Sequence, residues 1–163
     1  DVYKRQGFAA LQAHRVANFY MNLEEEVFAF FIQSRSSTIY GVDIHPRAKI
    51  GQGVMLDHAT GIVIGETSVV ENDVSIFQGV TLGGTGKETG DRHPKVREGV
   101  LISSGAKILG NVEIGKGAKV AAGSVVLSNV DSNTTVAGVP ALVVGKPTSK
   151  KPATDVDHTI EEA

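Results

Sequence analysis

The chain has 163 residues, no cysteine and a formal net charge of −2 at pH 7. This composition suits one globular domain with a smaller appendage, leaves no disulfide or thiol chemistry, and gives a nucleic-acid role no support. No apolar run approaches the roughly 20 residues of a membrane helix, and no signal peptide is recognisable, so a cytoplasmic protein without a membrane partner is expected.

Residues 1–40 are predicted to form a short N-terminal helical segment, with two helices over residues 7–40. Asn22 is the expected N-cap of the second helix, with Glu25 at its third position. The second helix carries an aromatic-rich run over 27–32 and should end before Gly41. So many aromatic residues on a short helix indicate burial against a neighbour.

Apolar residues then recur every six positions, a period that fits neither an α-helix nor an ordinary half-buried strand. It is typical of a parallel β-helix, in which short strands alternate with tight turns and three hexads close one coil. Residues 41–145 are therefore expected to form about four coils, with Ile62 and Val63 as a small bulge where the phase shifts. The repeat positions are Ile44, Ile50, Leu56, Ile64, Val70, Ile76, Val96, Ile102, Ile108, Ile114, Val120 and Val126.

Two segments depart from the repeat. Residues 82–95 are polar and glycine-rich and are predicted to form an excursion loop, which on a rigid repeat scaffold is often functional. Residues 146–163 have few apolar side chains and are expected to form a flexible tail.

Three of the five histidines are interpreted without a catalytic role. His14 on the first helix and His158 in the tail are expected on the surface. His45 lies in a turn at the start of the coils and is expected to be structural.

The remaining histidines belong to a candidate site. Asp43 and His58 are fifteen residues apart, which places them on neighbouring coils near one corner if a coil has about eighteen residues. A carboxylate beside an imidazole orients the ring, and histidine suits proton transfer near neutral pH. Asp57 directly precedes His58, and the excursion loop adds Arg92 and His93. One edge of the coils is thus expected to gather these five side chains.

Several of these motifs closely resemble the serine O-acetyltransferases of bacteria and plants. The motifs are Val-Asp-Ile-His-Pro at 42–46, Leu-Asp-His-Ala-Thr-Gly at 56–61, Gly-Gly-Thr-Gly-Lys at 83–87 and Asp-Arg-His-Pro-Lys at 91–95. The segment Ala-Gly-Val-Pro-Ala at 137–141 is similar to the closing signature of the wider hexapeptide-repeat acyltransferases.

The resemblance implies a left-handed parallel β-helix and acetyl transfer from acetyl-CoA to the hydroxyl of L-serine, giving O-acetyl-L-serine and CoA in cysteine biosynthesis, without a metal. It implies that His58 is the general base and that Asp43 orients it. Asp57 would bind the substrate amine, Arg92 would bind its carboxylate, and His93 would assist in the same pocket.

The resemblance also implies partners and a cofactor groove. A homotrimer with active sites at its subunit interfaces is expected, with a dimer of trimers as an open alternative. The family's longer upstream helical domain would correspond here to about forty residues. Docking on O-acetylserine sulfhydrylase through the tail, which ends Thr-Ile-Glu-Glu-Ala, is a further open alternative. The acetyl-CoA groove would be lined by Gly83, Gly84, Thr85, Ser104, Lys119 and Ala122.

Three rival functions stay open at this point. One is another hexapeptide-repeat acetyltransferase, acting on a sugar or antibiotic hydroxyl. The second is a zinc carbonic anhydrase, which would have to recruit His45, His58 and His93 as ligands. The third is a non-catalytic trimeric scaffold.

Overall fold

The computed structural model describes residues 2–149 and 151–155, so His158 and the end of the tail lie outside the described residues. Two helices come first, α1 (Val2–Asn22) and α2 (Glu26–Tyr40). Gly41 ends α2 in the left-handed region at φ 63°, and its N–H bonds to the Ser37 carbonyl. The expected end of α2 before Gly41 is confirmed.

The expected N-cap at Asn22 is wrong. Asn22 is the last residue of α1, and its side-chain amide bonds to Asn18 Oδ1 one turn earlier, at 3.2 Å. Its side chain is therefore used inside the first helix. Glu25 occupies the N-cap position of α2 and makes no capping side-chain hydrogen bond.

The rest of the chain winds through three stacks of short strands, which form the three faces of a parallel β-helix. Sheet A holds β1 (Asp43–Ile44), β4 (Val63–Ile64), β7 (Thr81–Gly83), β10 (Lys107–Leu109) and β13 (Val125–Val126). Sheet B holds β2 (Lys49–Ile50), β5 (Val69–Val70), β8 (Lys95–Val96) and β11 (Glu113–Ile114). Sheet C holds β3 (Met55–Asp57), β6 (Ser75–Phe77), β9 (Leu101–Ile102), β12 (Lys119–Val120), β14 (Thr135–Ala137) and the antiparallel β15 (Leu142–Gly145).

The six-residue repeat is the core of this β-helix. Repeat positions stack in register, as in the column Ile44, Ile64, Leu82, Ile108 and Val126 of sheet A. All but one of the expected repeat positions are at most 4% exposed, Ile50 being half-buried. With fourteen parallel strands on three faces among the described residues, the β-helix has between four and five coils, close to expectation. The left hand stays a prediction.

The excursion loop is three residues shorter than expected. Leu82 lies in β7 with its side chain wholly buried, and Lys95 begins β8. Leu82 and Val96, the second residue of β8, are the inward core positions of these strands, so the loop occupies only residues 84–94.

The phase shift is not a bulge at Ile62 and Val63. Val63 lies in β4, paired in register with Asp43 on one side and Thr81 on the other. The step from Leu56 to Ile64 is two residues longer than the equivalent step from Ile76 to Leu82. The extra residues therefore enlarge the corner between β3 and β4, which contains His58.

Part of the tail is packed rather than loose. Ala153 is 4% exposed, and its carbonyl accepts a 2.7 Å hydrogen bond from Ser75 Oγ on sheet C. Neither helix of the described residues is long and apolar enough to cross a membrane. On α2, Phe28, Phe30 and Phe31 are more than 40% exposed within this chain.

Candidate active site

The corner of residues 58–62, named here the His58 corner, turns the chain from sheet C into sheet A. His58 and Ala59 both have positive φ, at 55° and 56°, a conformation that costs a non-glycine residue about 1 kcal/mol or more. Asp57, 4% exposed, accepts a hydrogen bond from the His58 N–H at its Oδ1 (3.1 Å). The strained turn leaves the His58 side chain exposed at the surface while Ala59 faces the core.

Asp43 lies at the start of sheet A, on the strand that follows α2. His45, which directly follows β1, lies two residues after Asp43 and therefore points to the same outer side of the coil. Its Oδ1 accepts a 2.6 Å hydrogen bond from Gln33 Nε2 of α2. Gln33 is thus a contact that no sequence motif signalled. The orientation of His58 by Asp43 stays a prediction.

Arg92 and His93 lie at a second corner, between sheets A and B. This corner, named here the His93 corner, comprises residues 65–68 together with the excursion loop. Arg92 Nη2 donates to Glu66 Oε2 at 2.9 Å, and the backbone N–H groups of Arg92 and His93 donate to Thr67 Oγ1 at 3.0 and 3.1 Å. Lys95 Nζ closes the base of the loop on Asp91 at 2.6 Å.

The His93 ring is enclosed at this corner, with 7% of the residue exposed. It packs so closely on Gly65 that a Cβ there would lie 2.1 Å from His93 Cδ2. Gly65 is therefore required for this position of the ring. The sequence motifs identified Arg92 and His93 but missed Glu66 and Thr67. A glutamate and a threonine in a turn do not indicate a site until the fold shows what they contact.

Burial and neighbouring cations favour neutral imidazoles here. Burial lowers the pKa of His93, and the Arg92 guanidinium lowers it further. Burial also lowers the pKa of His45, against the opposing charge of Glu66. The hydrogen bond from Arg92 lowers the pKa of the Glu66 carboxyl, so Glu66 is held as a carboxylate.

Within one chain the structure does not gather the predicted side chains at one edge. The His58 corner and the His93 corner lie at opposite ends of the sheet A strands, separated by β4. The three residue steps from Ile62 to Gly65 span roughly 10 Å at the rise of a β-strand. The expected single cluster is therefore two separate groups, because each strand of this fold carries the chain from one corner to the next.

Five of the six residues expected to bind acetyl-CoA lie at the two edges of sheet A. Gly83 ends β7, and Gly84 and Thr85 begin the excursion loop. Ser104 and Ala122 lie on the same vertical edge as the His58 corner, with the Ser104 carbonyl accepting from the next coil at 2.9 Å. Lys119 instead lies on sheet C, in a cavity shared with tail residues 147–149.

His14 is not a surface residue. It is 5% exposed because α1 packs this side of the helix onto the coils near Ala48. Burial, together with the charge of Arg15, lowers its pKa to about 4, and Nδ1 has no hydrogen-bond partner among the described residues. Within residues 2–149 and 151–155, no group of three or more His, Cys, Asp or Glu is placed to hold a metal ion.

Comparison with known proteins agrees with this architecture. Residues 93–128 match the family described as bacterial transferase hexapeptide (six repeats). The chain is 63% identical over 153 residues to a serine acetyltransferase of Escherichia coli K12. The aligned region covers 94% of this chain and 56% of that protein. The chain thus spans about half the length of the curated relatives it matches.

Solved structures give the same result. A serine acetyltransferase from Vibrio cholerae superposes with a TM-score of 0.91 at 60% identity, covering 96% of this chain and 61% of that one. A serine acetyltransferase from Brucella abortus in complex with coenzyme A superposes with a TM-score of 0.86 at 60% identity, covering 86% of this chain and 56% of that one. Residues 93–128 therefore carry a hexapeptide-repeat segment, and the chain has the β-helical fold of these solved structures. More particularly, it is a homologue of the serine acetyltransferases over nearly all of its length.

Proposed function

We propose that this chain transfers an acetyl group from acetyl-CoA to the hydroxyl of L-serine, giving O-acetyl-L-serine and CoA for cysteine biosynthesis in the cytoplasm. The observation that carries the proposal is the joint presence of the Asp57–His58 and Arg92–His93 pairs on a β-helix whose relatives are named serine acetyltransferases. A sugar or antibiotic acetyltransferase, a carbonic anhydrase and a non-catalytic scaffold are the alternative outcomes of its test.

The proposed reaction needs no covalent enzyme intermediate, because the thioester is already activated. His58 accepts the proton of the serine hydroxyl as its oxygen attacks the thioester carbonyl. The carbon–sulfur bond then breaks, and the CoA sulfur leaves with the proton returned from His58. Asp43 is assigned the orientation of His58, and the exposure of the His58 side chain gives a substrate access to the ring.

Two charged side chains suit the ends of a free amino acid. Asp57, directly beside His58, is assigned to the substrate ammonium. Arg92 is assigned to its carboxylate, which a guanidinium recognises through paired hydrogen bonds. Acetyl-CoA is assigned to the outer face of sheet A, between Gly83–Thr85 at one corner and Ser104 at the other.

Because β4 separates the two corners within one chain, we assign each active site to two chains. The His58 corner of one copy would face the His93 corner of the next, and a closed ring of three copies repeats this contact around the prism. The proposed assembly is therefore a trimer with three shared active sites. The alternative is a hexamer, in which two trimers pair through the exposed aromatic face of α2. The expected docking of the tail on O-acetylserine sulfhydrylase would involve residues 156–163, which lie outside the described residues.

The activity is tested by following free CoA after addition of acetyl-CoA and candidate acceptors. CoA release that requires L-serine is expected. Equal release with a galactoside, with chloramphenicol or without acceptor would contradict the serine assignment, and the matched acceptor control is L-homoserine, which has one more methylene.

The shared site is tested by mixing two inactive variants, His58→Ala and Arg92→Ala, after partial unfolding and reassembly. If each site takes one corner from each of two chains, random mixing restores about a quarter of the wild-type activity. No activity in the reassembled mixture, alongside a reassembled wild type that regains its own, would contradict the shared site.

A further inference from the structure

Thr67 makes four polar contacts with the His93 ring and with the backbone of Arg92 and His93. Its Oγ1 accepts from two backbone N–H groups, those of Arg92 at 3.0 Å and His93 at 3.1 Å. The same oxygen lies 2.9 Å from His93 Nδ1. The backbone N–H of Thr67 also points to Nδ1, at 3.2 Å.

These contacts settle the direction of the hydrogen bond at His93 Nδ1. A hydroxyl has two lone pairs and one hydrogen. The two backbone N–H groups use both lone pairs of Thr67 Oγ1, so its hydrogen is donated, either to His93 Nδ1 or to the Asp91 carboxylate, which also hydrogen-bonds to this side chain. Since the Thr67 N–H donates to Nδ1 and Oγ1 has no free lone pair, Nδ1 must be the acceptor. A proton on Nδ1 would instead point at another N–H and at an oxygen with no free lone pair.

We propose that Thr67 is a positioning residue, which holds the neutral His93 ring in the tautomer with its proton on Nε2. His93 then presents Nε2–H as a hydrogen-bond donor to an oxygen atom of the substrate, and it does not take up the serine proton. This second statement rests on the proposed function, whereas the tautomer itself does not.

The charges around the ring are consistent with a neutral donor. Arg92 and Lys95 carry positive charge on the excursion loop and β8, Glu66 carries negative charge on the coil corner, and His45 lies on the coil below. The positive neighbours disfavour an imidazolium, and a second proton, on Nδ1, would collide with the donors of Thr67. Nε2 lies on Gly65, where a Cβ would approach it to 2.2 Å, so the ring cannot turn without losing this close packing.

The tautomer is measured by ¹⁵N NMR of the histidine-labelled chain at pH 8, with the His93 signals identified by their loss in His93→Gln. Wild type should show an unprotonated Nδ1 and a protonated Nε2. Thr67→Val, which keeps the branched shape and removes the hydroxyl, should shift Nδ1 toward the protonated form. Thr67→Ser should restore the wild-type signals, and Thr134→Val, at a distant corner, is the matched control.

Kinetics with L-serine provide the second measurement. We expect Thr67→Val to lower kcat/KM roughly ten- to a hundred-fold, the effect of leaving buried hydrogen-bonding groups unpaired. Thr67→Ser should stay within about two-fold of wild type, since its hydroxyl is retained.

Each outcome bears on a different statement. A protonated Nδ1 in wild type, or a wild-type tautomer in Thr67→Val, overturns the role of Thr67. A shifted tautomer with unchanged kcat/KM overturns the donation of Nε2–H to the substrate. If wild type releases no CoA with serine, the proposed function fails while NMR still decides the tautomer.

Discussion

Acidification should destabilise the folded chain through His14, which is buried as a neutral imidazole. The unfolded chain titrates His14 at pH 6.5, whereas burial lowers the folded pKa to about 4. Above pH 6.5 neither state is protonated at this group, and the stability is intact. As the pH falls below 6.5, only the unfolded chain binds the proton. The free energy of unfolding should therefore fall by about 2 kcal/mol at pH 5 and by about 3 kcal/mol below pH 4.

The measurement is urea unfolding of wild type and His14→Gln at pH 7.5 and pH 5, at one protein concentration because self-association would add a concentration term. Burial also lowers the pKa values of His45 and His93. These two histidines also lower the free energy of unfolding as the pH falls, but they do so equally in wild type and in His14→Gln. The difference between the two pH dependences therefore isolates His14. An equal loss in His14→Gln and wild type would refute the reasoning.

Three other perturbations follow from the geometry. His58→Ala should lower turnover by about 10² to 10⁴, the range of a lost general base, and near-wild-type turnover of this variant would exclude the proposed mechanism. Asp43→Asn should lower turnover less, while its binding of acetyl-CoA, measured by calorimetry, stays intact. Glu66→Gln should raise KM for L-serine several-fold in steady-state assays by releasing Arg92, and an equal rise in KM for acetyl-CoA would argue against that role. Ile108→Ala, at a wholly buried position, should lower the free energy of unfolding by about 2 to 5 kcal/mol. The control Leu142→Ala, at a position 68% exposed, should change the free energy of unfolding by no more than about 0.5 kcal/mol. Comparable urea midpoints for both variants would contradict the core assignment.

The β-helix was predictable because its core residues recur at a fixed six-residue spacing along the chain. The repeat positions of successive parallel strands point inward, as Ile102, Ile108 and Ile114 do on three successive faces. The exceptions to the period carried information too. The two-residue phase shift marks the His58 corner, but sequence alone assigned it to a bulge at Ile62 and Val63, because counting residues locates an insertion only to within one repeat.

The helical segment was less predictable, for a different reason. Asn22 is a good N-cap type, yet its amide bonds within α1 to Asn18. His14 is polar, yet it faces the coils. Both outcomes depend on where α1 ends and which of its sides packs against the β-helix, and a patchy apolar face of the helix leaves these undetermined.

The sequence by itself determined the repeat, the core positions and the residue types of the candidate site, because period and motif are properties of neighbouring residues. Only the tertiary structure decided that the His58 corner and the His93 corner lie at opposite ends of sheet A. It alone also brought Thr67 onto a ring that is 26 residues away along the chain. The physical reason is that stacking joins residues about one coil apart, or further where a loop intervenes, and only the register of the strands sets which side chains meet.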